Sequence, residues 1–479
     1  MNTRRTLAIL AGTVIALAGL YAGASWYAGR EAQARIEQLV EQANLGLAAQ
    51  WPVTQPQPVL RIDEYRRGWF SSRIRYTLAY QDADGHARGL HFQDALAHGP
   101  LPWAALRMGD WRPAIAYSRL VLAPGDTGGA WFDGVENRGA PLAIDTRIAF
   151  DGKVHAVWRL AAAQVRGQAV QVGFSAGRMT VDYDPATRAS VASGALDHLA
   201  LIMPDTGERL RLEGLSIQGD SASSGEDDGR TSHRLRIQRL ALDRPDQPAV
   251  EAHGIEVGLD AARTGALVDG RLAYALDQLR VGELDMGRLE FQASAQHVDA
   301  GAFQALQQTW EDIAAAGDPD AGLDPADRAA LLERLRPVLA AAPSVAIDAL
   351  RWRNAQGQSQ ASLAVDFTPP GEGGDTDLGA FLERAIRQLR LNLEVSKAML
   401  VETARRVNPG DADRTAALAS MLFDGVTGRL ARAGLVRVED GAARLELAYS
   451  AGRVTLNGQA MPVADFLALV SPWLVGPAG

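Results

Sequence analysis

The 479-residue chain contains no cysteine. Disulfide frameworks, thiolate metal sites, iron–sulfur clusters and a cysteine nucleophile are thereby excluded. Basic residues are in the minority: 48 Lys and Arg against 57 Asp and Glu leave a net charge of −9. A phosphate polyanion calls for a basic stripe, so nucleic acid is not the expected partner. Aromatic residues make up only 6 %, yet 47 % of the chain is hydrophobic, which suffices for a buried core and excludes wholesale disorder. Metal motifs are missing as well. The histidines, His86, His91, His98, His155, His198, His233, His253 and His297, form no H-x-x-x-H or H-E-x-x-H pair. Asp318, Asp320 and Asp324 imitate part of a calcium loop, but Leu323 stands where glycine is needed and the closing Glu is absent. Asp324 therefore reads as a helix cap. There is no phosphate-cradling glycine loop with its lysine, and no cofactor or metal is expected.

What the chain does have is one long run without charge, from Thr6 to Gly29. About 20 apolar residues cross a bilayer core as a helix, and Leu7 to Tyr27 suffices. Arg4 and Arg5 precede the run, and Trp26 and Tyr27 close it at headgroup level. The positive-inside rule puts Met1 in the cytoplasm and the bulk of the chain on the other side. Ala22-Gly23-Ala24 has the form of a signal-peptide cleavage site. The uncharged run continues five residues beyond it, which suits a retained anchor better. Gly12, Ala16, Gly19 and Gly23 share one face of this helix and make a candidate homodimer contact.

Residues 1–29 thus read as cytoplasmic tip and anchor, and 30–50 as an amphipathic juxtamembrane helix. In that helix Ile36, Leu39, Val40, Ala43 and Leu47 share a face. Its mixed charge favours packing on the protein over lying on lipid. From 51 to 298 the dominant period is two, as in Ile74, Tyr76, Leu78 and Tyr80, and turn residues recur at short intervals. The region reads as antiparallel hairpins with one wet face, and Gly219 to Gly229 (GDSASSGEDDG) as a flexible loop. Residues 299–343 form a helical insertion. Asp299 caps a helix whose Phe303, Leu306, Trp310 and Ile313 share a face, and Asp324-Pro325 opens a second, with a kink expected near Pro337 and an end at Pro343. Residues 344–479 are a mixed α/β region, with a short helix at Leu378 to Ile386. It ends in a meander whose Asp440-Gly441 and Asn457-Gly458 dipeptides are hairpin signals. The expected fold is α+β: a single N-terminal transmembrane helix, then a large, mostly antiparallel curved β-sheet with inserted and C-terminal helices.

One motif suggests catalysis. Gly173-Phe174-Ser175-Ala176-Gly177 satisfies G-x-S-x-G, which would make Ser175 a nucleophile. That elbow needs a strand before the serine and a helix after it. Here Met179 to Tyr183 alternates as a strand, so a chance match in a chain with 48 glycines is the better reading. Gly68 in Tyr65–Arg73 (YRRGWFSSR) and Gly99 in His98–Trp103 (HGPLPW) read as corners packed between large rings.

GASWYAGREAQARIEQLV at 23–40, YRRGWFSS at 65–72, HGPLP at 98–102 and YSAGRVTLNGQAMP at 449–462 together resemble the YdgA family of Gram-negative envelope proteins. The likeness extends to the helices capped by Asp299 and Ser396. It implies an inner-membrane protein, N-terminus cytoplasmic and C-terminal domain periplasmic, of unknown molecular function, with no catalytic residues to carry over. The function expected is non-enzymatic: an envelope scaffold or binding protein whose sheet presents a surface to a lipid or an envelope protein. A serine-dependent hydrolase using Ser175 is the alternative.

Overall fold

The computed structural model describes most of residues 25–48, then residues 56–81, 86–107, 109, 111–123, 140–166, 170–223, 225, 228–316, 324–371, 383–407 and 409–474. The uncharged run up to Ala24 lies outside the described residues, and with it Gly12, Ala16, Gly19 and Gly23. So do Asp318, Asp320 and most of the helix expected at 378–386. Among the described residues no helix is long and apolar enough to cross a membrane. The chain forms two compact units, Met1–Asp220 and Ser221–Gly479. This division cuts across the 51–298 region and places the 299–343 and 344–479 regions together.

In the first unit, helix α1 occupies the described positions of 25–48. Strands β1 (Val59–Arg67), β2 (Ser71–Gln81), β3 (Ala87–His98), β4 (Ala116–Leu122), β5 (Leu142–Ile148) and β6 (Val154–Leu160) follow in an antiparallel meander. A short helix, α2 (Trp103–Arg107), lies in the β3–β4 connection. Next come β7 (Ala163–Arg166), β8 (Gln171–Phe174), β9 (Gly177–Asp184) and β10 (Ala189–Ile202), and β11 (Arg209–Ser223) straddles the division. Strand β6 pairs with β9, β7 with β8, and β10 with both β8 and β9.

Helix α1 packs through Ala28, Ala32 and Ile36, one turn apart, onto Ile74, Tyr76, Leu96 and Ile148 of the sheet. Two alanines in that stripe let the helix axis come close. Asn44 donates to the Leu60 carbonyl at 2.9 Å and accepts the Leu60 N–H at 2.8 Å, so a side chain pairs the exposed edge of β1. At the other end Ser25 is fully buried on Gly99, whose φ is +130°. A Cβ at Gly99 would collide with the Ser25 hydroxyl. The buried His98 ring donates from Nδ1 to the Ser25 carbonyl at 2.9 Å and takes the Ser72 hydroxyl at Nε2, 3.3 Å away. Burial pulls its pKa below the ordinary imidazole value, in keeping with this neutral tautomer.

The second unit contains β12 (Gly229–Arg244), β13 (Gln247–Thr264), β14 (Leu267–Val281), β15 (Leu284–Asp299), helices α3 (Ala300–Ala316) and α4 (Pro325–Ala340), β16 (Ser344–Asn354), β17 (Gly357–Phe367) and β18 (Ile386–Ser396). It continues through α5 (Lys397–Val407), α6 (Ala412–Arg432), β19 (Arg437–Glu439), β20 (Ala442–Ser450), β21 (Arg453–Leu456), β22 (Gln459–Pro462) and α7 (Val463–Leu474). Strands β12 to β18 pair consecutively and antiparallel, and β20 joins the free edge of β18. The result is the large, mostly antiparallel sheet with helices that an α+β protein requires.

The caps form as their chemistry demands. Asp299 Oδ1 accepts the Ala302 N–H at 2.8 Å, Asp324 Oδ1 the Asp327 N–H at 2.7 Å, and the Ser396 hydroxyl the Met399 N–H at 3.3 Å. Asp440-Gly441 and Asn457-Gly458 take positive φ at both residues, the type I′ geometry that matches strand twist. Two expectations are corrected. The GDSASSGEDDG stretch is mostly ladder, since β11 runs to Ser223 and β12 starts at Gly229; backbone pairing is indifferent to polar side chains on a wet face. Helix α4 contains Pro337 and ends at Ala340, three residues before the end expected at Pro343. On the shared apolar face of α3, Phe303 and Trp310 are 50 % and 53 % exposed.

Candidate functional site

Register across the second unit sorts its side chains into rows, one per strand step. On one face Arg236, Glu256, Ala275, Glu290, Arg351, Gln360, Glu394 and Arg444 stand side by side from β12 to β20. Their charges largely answer one another. Arg236 meets Glu256 at 2.8 Å, Glu290 lies between Arg288 at 2.9 Å and Arg351 at 3.5 Å, and Arg444 meets Glu394 at 3.1 Å. Exposed pairs of this kind contribute little stability each, about 0–1 kcal/mol. Like charges directly opposite would be penalised, so the row holds the strand register. The grooves on this face are lined by these same paired groups and present no convergent acid, base or nucleophile.

The other face is largely apolar. Leu235, Val257, Tyr274, Phe291, Leu350, Ala361, Leu393 and Leu445 form one row. Two residues away along the strands, Leu259, Leu272, Ala293, Ile347, Leu363, Leu391 and Leu447 form a second, extended by Leu456 of β21 and ending on β12 at His233. Strand β16 keeps Ile347 and Leu350 in these rows through a bulge at Asp348-Ala349, where its register shifts. Near the β13–β14 end the face is core: Ile255 and Leu276 are buried. Along the two rows it is not. Leu259, Leu272, Leu350 and Leu393 remain 38–44 % exposed. The helices meet the sheet at strand ends instead. Met399 of α5 is fully buried at Gly357 and Ser359, the start of β17. Leu339 of α4 packs with Leu332, Leu335, Ala385 and Phe367, the end of β17.

Ser175 sits in a gap between β8 and β9, which continue each other along β10 in one register. Its N–H donates to the His198 carbonyl at 3.0 Å, and its hydroxyl accepts the N–H groups of Asp197 and His198, both at 3.1 Å. The side chain thus bridges a break in the ladder. A strand follows it, so the strand–turn–helix setting of a nucleophile elbow is not formed. Replacing Ser175 with Ala removes an acceptor from two N–H groups near solvent. We expect a loss of about 1 kcal/mol in urea denaturation and no change in ester hydrolysis by the preparation. A fall in hydrolysis with unchanged stability would reverse that assignment.

Among the described residues no group of three or more His, Asp and Glu comes together that could hold a metal ion. His155 is paired with Asp182 at 2.7 Å and His253 lies 3.4 Å from Glu251. The period-two alternation of 51–298 signalled the strands that begin the apolar face. What it did not carry was the lateral alignment that joins Phe291, Leu350 and Leu393 into one surface.

A model of a family described as bacterial protein of unknown function (DUF945) matches residues 4–464. The chain belongs to the DUF945 family. Among its relatives, Protein YdgA of Escherichia coli (strain K12) is 24 % identical over 98 % of this chain and 98 % of its own length. The uncharacterized protein YihF of the same organism is 22 % identical, covering 95 % of this chain and 97 % of its own. An uncharacterized protein of Haemophilus influenzae is 21 % identical over 62 % of this chain and 84 % of its own. The likeness to the YdgA family drawn from the corner and meander motifs is therefore a family relationship. No solved structure matches the chain.

Proposed function

We propose that this DUF945 protein is a non-enzymatic lipid-binding protein of the cell envelope. In this reading the uncharged run that begins at Thr6 anchors it in the inner membrane with Met1 in the cytoplasm, and the two folded units lie in the periplasm. The apolar face of the second unit holds acyl chains. The observation that carries the reading is the half-exposed state of those leucines. Exposed apolar area forgoes roughly 25 cal/mol per Å² relative to burial, and contiguous patches of it mark binding surfaces. Eight strands spaced about 4.8 Å apart give rows about 34 Å long, more than the roughly 15 Å that an acyl chain spans in one leaflet. The opposite face, with its paired charges, offers a lipid tail nothing.

The test places a photoreactive amino acid at Leu272, Leu363 or Leu393 and, as controls on the charged face, at Gln360 or Arg351. Irradiation of cells is followed by mass spectrometry of the purified full chain. Phospholipid adducts are expected at the leucine positions and not at the controls. Adducts only to protein, or equal labelling of both faces, would overturn the lipid reading.

A further inference from the structure

Topology gathers the exposed aromatics of the first unit at one end. Because β1 to β6 alternate in direction, the β1–β2, β3–β4 and β5–β6 connections all lie at the same end of the sheet. Main-chain bonds tie them together: His98 N–H to the Phe70 carbonyl at 3.0 Å, Gly99 N–H to Ile115 at 3.1 Å, and Ile115 N–H to Ile148 at 2.8 Å. From these connections Trp69, Phe70, Leu101, Trp103, Trp111 and Phe150 project, between 37 % and 72 % exposed. Among the described residues of this unit only one other exposed Trp or Phe occurs, Trp158 within β6.

The same end receives the first turn of α1. Ser25 is fully buried against Gly99 and bonded through its carbonyl to His98, while Tyr27 beside it is 66 % exposed. The chain that precedes Ser25 carries no charge back to Thr6. As a helix those residues measure roughly 28 Å, about the thickness of a hydrocarbon core. A membrane span ending at Ser25 brings the aromatic connections to the lipid surface, because the Ser25–Gly99–His98 contact leaves no slack between them. Trp and Tyr favour that depth, where the ring is half in hydrocarbon and the polar edge stays wet. Arg107 stacks over the Trp103 ring at 5.7 Å, which keeps a guanidinium at phosphate level.

We propose that this end of the first unit is a membrane-seating surface whose rings enter the headgroup–acyl boundary of the leaflet from which α1 emerges. The proposal rests on the uncharged run before Ser25 being the anchor, and its test separates the two. The natural chain has no cysteine, so Trp69→Cys, Trp103→Cys, Trp111→Cys and, as control, Trp158→Cys are each labelled with an environment-sensitive fluorophore. The labelled full-length proteins are reconstituted in phosphatidylethanolamine–phosphatidylglycerol vesicles. Lipids spin-labelled high on the acyl chain are expected to quench the first three about twofold or more and to leave the Trp158 position unchanged. Carbonate extraction of the same vesicles reports on the anchor. Retention without quenching overturns the seating surface and leaves the anchor standing. Quenching confined to the three sites with the chain retained supports the surface; release by carbonate overturns the anchor on which it rests. Equal quenching at all four sites overturns it.

Discussion

Replacing Gly287 with Ala is expected to cost the second unit about 3 kcal/mol or more, read as a drop in its urea or thermal midpoint. Gly287 lies in β15 at φ +88°, where the register with β14 shifts. A left-handed backbone costs an L-residue roughly 1–2 kcal/mol by itself. Here the added Cβ would also collide with the Arg353 carbonyl oxygen and stand 2.8 Å from Asn354 Cα. Those atoms are main chain of β16 and cannot rotate aside. Trp352 holds the place from the other side, its indole N–H donating to the Met286 carbonyl at 2.6 Å. Gly265→Ala is the control, since φ there is +60° but nothing lies within 4 Å of the new methyl. It should lose only the conformational part, about 1 kcal/mol. Equal losses at the two positions would show that β16 yields without cost.

The second large effect is a pH dependence set by Asp94. This β3 residue is buried in the core beneath α1, where the Ser118 hydroxyl donates to it at 2.7 Å. Burial outweighs that hydrogen bond and those from Tyr76 and the Arg119 main chain, and pushes the carboxyl pKa from 3.8 up to about 6. The folded state then holds its proton more tightly than the unfolded chain. Stability is fully favoured below pH 4 and declines as pH rises through about 6, by up to about 3 kcal/mol. His98, whose pKa is lowered by burial, works in the opposite sense, so the comparison that isolates Asp94 is with Asp94→Asn. That variant should be more stable than the parent at pH 7.5 and nearly equal at pH 4. A variant less stable at both values would mean that ionised Asp94 is a needed partner.

Much of the local structure was legible because its causes are local. Asp299, Asp324 and Ser396 cap helices where their side chains reach a free N–H, and the Asp440-Gly441 and Asn457-Gly458 turns form because those residues tolerate positive φ. The strand β3 and the full 14 residues of β10 were not legible, because Gly89, Gly194 and runs of Ala and Ser blur a two-residue period. Burial also escaped the pattern on α3. The shared apolar face of Phe303 and Trp310 was legible, but their shelter depends on what stands opposite, and both remain half exposed.

By itself the sequence determined the classes of chemistry that are closed to this chain, the uncharged opening segment, the antiparallel β-rich character and the family motifs at its corners. Composition and short-range pattern suffice for these. Only the tertiary structure decided that Ser175 bridges a gap in a ladder, that three connections bring their aromatics to the end where α1 begins, and that leucines from eight strands align into one half-open face. Each of these depends on register and direction between segments far apart in the chain. Strand pairing sets both, and no window of neighbouring residues contains them.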